Sequence, residues 1–490
     1  MNMSETLRKA REFEEEVRGS IDPLRRPVYH LTGIKGWIND PNGLSLYGDD
    51  VHLFYQANPY AVTHGPMHWG HATTKDFIRW TYRPTALAPD MPYDRNGCFS
   101  GTALTMPDGA HLLMYTGVDE EGDSPQTRRQ TQCIATGDGT DYSKYAGNPV
   151  IDSSLLPEGA SPIDFRDPKI WEENGRYYCI AVNRVADGSG AVLLFSGEDP
   201  FHWQYRGILA QSAFAWGDMW ECPDLLRLDG ADALVLSAAG VKEHDLLPPG
   251  YTTFAMIGSF DPEAASFATD RVRTLDEGID FYAPQTLRMP DGRHIMIGWM
   301  QNWETVDTFP DDIDFHGQMA VPREITIEEG RILQRPVREL GLYRRNQKRY
   351  CDIEVSKDLE LEGIGGRVLD LELVIRPQKE GYERFSVAVA AHGAFCTTIT
   401  YDRRAGRIRV DRTNSGMGPC AIHERSFSCR ERDGALRLRL LLDRYSLELF
   451  VNDGEHAATF LLYAPAEAEG IRFSADGCAR MDIDQYEVER

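Results

Sequence analysis

With 490 residues and 42% hydrophobic content, the chain is long enough for two packed domains and needs no disulfide staples. Its 76 acidic against 52 basic residues leave a formal charge of −24, which repels phosphate backbones and anionic lipid surfaces, so neither nucleic acid nor a membrane is an expected partner. No window approaches the ~18 apolar residues of a membrane span. The nine scattered cysteines lack metal-site or paired-framework spacing, and the charged N-terminus has no apolar signal core; both point to a cytoplasmic protein with reduced thiols.

Residues 4–18 read as one exposed helix capped by Ser4, and with the segment up to residue 28 they form a lead-in. Strand patterns then dominate. Gly43 to Tyr55, Ala103 to Tyr115 and Thr286 to Gly298 are hairpins, the last two turning on a shared Pro-Asp-Gly. Outer strands follow, as in His71 to Tyr82 and Val192 to Tyr205, whose Asp-Phe-x-x-Trp and Pro-Phe-x-Trp endings echo each other. After a connector helix at 336–349, long alternating strands such as Val368 to Ile375 and Leu436 to Leu442 predict a β-sandwich over 350–490.

Within 29–335 one phrase recurs five times: a polar or small residue, often a Pro, then a strand, a turn and a second strand. The copies begin at Asp40-Pro41, Ser100-Gly101, Asp167-Pro168, Glu221-Cys222-Pro223 and Ala283-Pro284, about 54 to 67 residues apart. The expected fold is therefore all-β, a five-bladed β-propeller followed by the β-sandwich. The start of each innermost strand then faces one axis, so Asp40, Asp167 and Glu221 share a single register and converge.

Each acid has an ordinary reading in isolation. Trp37-Ile-Asn-Asp-Pro-Asn-Gly43 is good turn sequence, Phe165-Arg-Asp-Pro168 a surface Arg-Asp pair, and Trp220-Glu-Cys-Pro-Asp-Leu225 an acidic strand start. Together they form a crowded cleft in which at least one carboxyl keeps a raised pKa and a proton near neutrality, placing an acid beside a base. That pairing is what glycoside hydrolysis requires. The competing use of three acids, a Ca²⁺ or Mg²⁺ cage, lacks a loop of alternating oxygen ligands, so no metal and no cofactor is expected. Gln56 and the segment His64-Gly-Pro-Met-His-Trp-Gly-His71 add amide, imidazole and indole groups suited to a polyhydroxylated ring.

These motifs, with Cys98-Phe-Ser-Gly101, Asp280-Phe-Tyr-Ala283, Gly298-Trp-Met-Gln-Asn-Trp303, Pro322-Arg-Glu324 and the phrase from Asp443 to Gly454, resemble glycoside hydrolase family 32, the β-fructofuranosidases. The resemblance runs from about Tyr29 to the C-terminus. It implies a retaining enzyme cleaving terminal β-D-fructofuranosyl bonds of sucrose, sucrose 6-phosphate or short fructooligosaccharides. Asp40 would be the nucleophile, Glu221 the acid and base, and Asp167 a stabiliser gripping fructosyl hydroxyls. Trp37, Asn39, Gln56, His64, Phe99, Ser100, Arg166, Tyr282 and Trp303 would line the sugar site.

His64 departs from the pattern, standing where many relatives place a Trp. A fructan exo-hydrolase of the same family, an inverting propeller glycosidase and a non-catalytic sugar-binding propeller remain as alternatives. Arg95, Arg128, Arg129 and His316 are the candidates for recognising a phosphate on the substrate.

Overall fold

The computed structural model describes residues 3–120, 127–242, 247–310, 312–328, 330–419 and 421–490; one of the nine cysteines, Cys420, lies outside them. Five sheets of four sequential antiparallel strands follow one another from Gly36 to Pro336, the first widened by the short strand Phe315–His316. Their innermost strands are Gly36–Tyr47, Gly97–Thr105, Phe165–Glu173, Met219–Leu228 and Tyr282–Arg288. Each lies beside the next, and the last lies beside the first, so the sheets close into a five-bladed propeller. Closure on the first blade is made by Phe315–His316, which runs parallel to Gly36 and Trp37. The chain leaves that strand through Gly317 at φ +90°, where a Cβ would stand 2.1 Å from the Ile38 carbonyl oxygen, so only glycine fits.

The turns between third and fourth strands explain the echo seen in the sequence. Asp76 accepts the backbone N–H groups of Ile78 and Arg79, Asp199 those of Phe201 and His202, and Asp261 those of Glu263 and Ala264. An aspartate at this place lets its own side chain close the turn. His71 to Tyr82 and Val192 to Tyr205 thus each span parts of two strands joined by such a turn.

The helix Glu5–Arg18 is capped by Ser4, whose Oγ accepts the Leu7 N–H at 3.2 Å. It is not free in solvent. Leu7, Ala10 and Glu14 are buried, and Glu14 accepts the backbone N–H and hydroxyl of Thr85 on the first blade's outer strand. Within 336–349 the chain makes a 3₁₀ helix, Arg338–Tyr343, and enters a strand at Arg344, because Arg344 and Arg345 already pair with Val488 and Glu487.

Two long strands, Leu369–His392 and Gly470–Val488, pair along most of their length and bend midway, so each contributes to both sheets of the sandwich. On one half Leu369 to Ile375 pairs with Leu436–Asp443; on the other, Arg384 to His392 pairs with Phe395–Asp402. Inward-facing Leu371, Leu373, Leu440 and Leu449 from one sheet and Val387, Val389, Ile399 and Val410 from the other share one core.

Propeller and sandwich meet through buried ionic groups. Asp276 accepts from Arg323 at 2.9 Å and from the backbone N–H and hydroxyl of Thr459 at 2.9 and 2.7 Å. Glu448 receives the same guanidinium, the Val321 N–H and His30 Nε2. Asp443 accepts the N–H groups of Val28 and Tyr29 and faces His30 Nδ1 at 2.9 Å. Asp280 pairs with Arg412 and accepts the Leu461 N–H.

Candidate active site

A β-bulge interrupts every innermost strand near its start: between Ile38 and Pro41, Phe99 and Gly101, Glu221 and Asp224, Tyr282 and Gln285, and opposite Ala181 in the third blade. In four blades a proline sits there, where its missing N–H breaks no ladder bond. The residue before it is left-handed in three of them, with φ of +61° at Asp167, +49° at Cys222 and +53° at Ala283. Local strain of this size, about 1–3 kcal/mol each, persists only when the surroundings hold it. Here they do: the Asp167 N–H donates to Thr116 Oγ1 at 3.0 Å, the Ala283 N–H to Ser237 Oγ at 2.8 Å, and the Cys222 N–H to Asp167 Oδ2 at 2.9 Å.

This geometry corrects the expectation of one register for all three acids. Counting back from the prolines, Asp40, Asp167, Cys222 and Ala283 are equivalent, and Glu221 lies one residue earlier, level with Asn39, Arg166 and Tyr282. Two rings result, and contacts follow them. In the first, Ser100 Oγ donates to Asp40 Oδ2 at 2.6 Å, while the Cys222 thiol lies 3.5 Å from Asp40 Oδ2 and 3.6 Å from Asp167 Oδ2. In the second, Arg166 donates to Glu221 Oε1 through Nη2 at 3.0 Å and Nε at 3.3 Å, and the Tyr282 hydroxyl donates to Glu221 Oε2 at 2.7 Å. The three carboxylates therefore do converge, through adjacent rather than identical slots.

Their surroundings differ. Asp167 is 6% exposed and Glu221 23%. Burial, with the charges of Glu221 and Asp40, pushes the Asp167 carboxyl up to about 7, against Arg166 at 3.9 Å. Asp40 is also raised, first by burial and further by Glu221, while hydrogen bonds from Ser100 and Asn39 oppose the shift. The site thus holds a carboxyl whose pKa burial and acidic neighbours raise toward neutrality.

The predicted sugar-site residues other than Gln56 touch the acids or one another. Asn39 Nδ2 donates to Asp40 Oδ1 at 3.0 Å, and its Oδ1 accepts from the Trp37 indole at 2.8 Å, fixing the nucleophile candidate from behind. Gln56 spends its amide N–H on the Cys98 carbonyl at 3.0 Å, tying the first blade to the second. Trp37 and Trp303 stack with centroids 6.0 Å apart, and His64 sets its ring edge against Trp37, Trp303 and Phe99 at 5.9 to 6.0 Å. His64 is exposed at the rim, and desolvation on its ring side, with the charge of Arg128, lowers its pKa. Tyr251, whose ring lies 5.8 Å from that of Tyr282, completes the collar.

Of the proposed phosphate ligands, Arg95 pairs with Asp119 at 2.8 Å and Arg128 with Glu120 at 3.1 Å, whereas His316 packs under Trp37 at 4.7 Å. Thr116, Ser237, Cys222 and Tyr251 were not legible as site residues. The first two sit on second strands and act on the neighbouring blade's backbone, which no local motif announces. Among the described residues no group of three or more His, Cys, Asp and Glu is arranged to hold a metal ion, and no helix is long and apolar enough to cross a membrane.

Comparison with known proteins agrees with this architecture. The model of the glycosyl hydrolases family 32 N-terminal domain matches residues 30–336, and that of the family 32 C-terminal domain residues 339–489. The chain is 34% identical over 448 residues to a sucrose-6-phosphate hydrolase of Zymomonas mobilis, covering 88% of this chain and 84% of that one. It is 32% identical over 459 residues to a raffinose invertase of Escherichia coli, covering 92% of each. A mutant Bombyx mori GH32 β-fructofuranosidase solved in complex with sucrose superposes with a TM-score of 0.86 at 31% identity, covering 100% of this chain and 99% of that one. With both of its domains matched and its acids gathered at the propeller axis, the chain belongs to glycosyl hydrolases family 32.

Proposed function

We propose that the protein is a cytoplasmic, retaining β-fructofuranosidase that releases fructose from sucrose, sucrose 6-phosphate or short fructooligosaccharides. The observation that carries this reading is the unequal treatment of two acids. Asp40 is held by neutral donors, Ser100 and Asn39, and makes no ion pair among the described residues, so its charge is available to a cationic centre. Glu221 has Oε1 engaged by two guanidinium N–H groups, while Oε2 meets only the Tyr282 hydroxyl and has the greater capacity left. That oxygen is the freer one to serve the leaving group.

In the first half-reaction Glu221 gives its proton to the glycosidic oxygen as the bond to the fructosyl C2 breaks, and Asp40 attacks C2 to form an ester. In the second, water attacks C2, Glu221 takes its proton, and Asp40 departs as a carboxylate. Such a route expects the two carboxyls ~5–5.5 Å apart. Asp167 faces the same centre, where its negative charge and hydrogen bonds to sugar hydroxyls stabilise the oxocarbenium-like transition state. The cytoplasmic assignment rests on the eight described cysteines, all of them free thiols.

The test is a kcat/KM panel on sucrose, sucrose 6-phosphate, 1-kestose and inulin, together with the anomer first released, read by rapid NMR. Retention and turnover of the short substrates are expected. Inverted product would remove Asp40 as nucleophile, and inulin as the best substrate would favour the fructan exo-hydrolase alternative.

A further inference from the structure

On one flank the propeller and sandwich are separated by a cleft of about 810 Å³ that the sugar chemistry does not use. Arg273 and Arg331 line its propeller wall; Arg407, Arg425, Arg430 and Arg432 line its sandwich wall. Six arginines thus meet two carboxylates, Glu277 and Glu455. Glu455 is taken by Arg331 at 2.9 Å and by Arg432, while Glu277 lies 3.5 Å from His456. Arg273, Arg407, Arg425 and Arg430 make no ion pair among the described residues.

Arg425 sharpens the point. Its Nε is buried with no acceptor, and burial pulls its pKa down. An unsatisfied buried donor costs its desolvation, which the charges of Glu304, Asp280 and Glu277 offset only in part at Arg425, while Arg273, Arg407 and Arg430 stand exposed at the cleft with no carboxylate of their own among the described residues. This happens in a chain with 24 acids in excess, where counter-ions are abundant in sequence.

We infer that this cleft is a binding site for a compact anion bearing two phosphate groups, distinct from the sugar pocket. Guanidinium forks donate paired N–H groups to phosphate oxygens, and cations on both walls offer two such positions. The volume lies within the range of small-molecule sites. Charges further apart than the ~8 Å Debye length are largely screened at physiological salt, so the arginines act on a compact ligand that they enclose rather than on a distant one.

The experiment is calorimetric titration of the full chain at low salt with inorganic pyrophosphate and, separately, fructose 1,6-bisphosphate. One-to-one binding is expected with a dissociation constant below about 1 mM. It should weaken at least ~10-fold in Arg407→Glu/Arg430→Glu, and comparably in Arg273→Glu from the opposite wall. Sucrose kcat/KM should stay within about twofold of the parent in each variant, reporting intact folding. Binding of both probes assigns phosphate itself as the recognised chemistry; binding of the bisphosphate alone, lost in the same variants, assigns a sugar phosphate. Heats that fail to saturate by about 10 mM, variants that bind like the parent, or pyrophosphate raising the sucrose KM competitively overturn the inference.

Discussion

Asp167 at the propeller axis and Asp443 at the seam with the sandwich are both buried, with 6% and 0% of their side chains exposed. Burial raises the pKa of each. At Asp443, His30 and the N–H groups of Val28 and Tyr29 more than offset it, and the carboxyl ends below its ordinary value. At Asp167 the neighbours include Glu221 and Asp40, and the carboxyl rises to about 7. The seam satisfies its acids with donors, which makes them inert struts; the axis crowds acids together, which makes them reactive. For Asp167 and Asp443 the neighbours separate the two outcomes, whereas at Asp276 burial outweighs its donors and the carboxyl ends raised.

The sharpest way to break this contrast is to remove one charged group from each region. Asp40→Ala or Glu221→Ala should lower sucrose kcat by at least ~10³-fold while the protein stays folded. Arg412→Met, which leaves Asp280 buried without its cation, should cost ~3–5 kcal/mol in urea unfolding and leave kcat of the folded enzyme nearly unchanged. If the seam variant lost kcat as severely while folded, the division of labour would be wrong.

Next in size are the pH effects. His30 is raised to about 9 by its two carboxylate partners despite burial, so its contribution to stability is complete below about 6.5 and fades as pH rises through about 9. Asp167, raised from 3.8 to about 7, binds a native proton that the unfolded chain has released, so stability falls as pH climbs across that lower window. Melting temperatures measured from pH 4 to 9.5 should therefore lose the upper slope in His30→Gln and the lower slope in Asp167→Asn. The reverse assignment would exchange the two regions. The smallest expected effect is at the rim, where His64→Trp should change sucrose KM by only a few-fold with kcat little altered, read from steady-state kinetics.

The propeller was legible because its repeat carries chemistry at two points in most blades, the aspartate that closes an outer turn and the proline that marks the inner bulge. The count of blades and the meeting of the acids followed from it. The one-residue offset of Glu221 was not legible, since it depends on which residue before the proline turns left-handed, and aspartate, cysteine and alanine all do so here. The seam was opaque for another reason. Asp276 lies 47 residues from Arg323, which lies 125 from Glu448, and in sequence each looks like an ordinary strand charge. The exposed helix was misjudged because Glu14 reads as solvent-facing until Thr85 is brought to it.

The bulge has a consequence beyond this pocket. Because a neighbouring blade grips the backbone there, the side chain preceding the proline is excused from holding the strand together, and residues of three kinds occupy the four equivalent places without disturbing the ring. The axis therefore behaves as a set of interchangeable sockets around a fixed hub. New specificities can be sought by exchanging contents between sockets, starting with Ala283, the one that holds no polar group, while the scaffold is left alone.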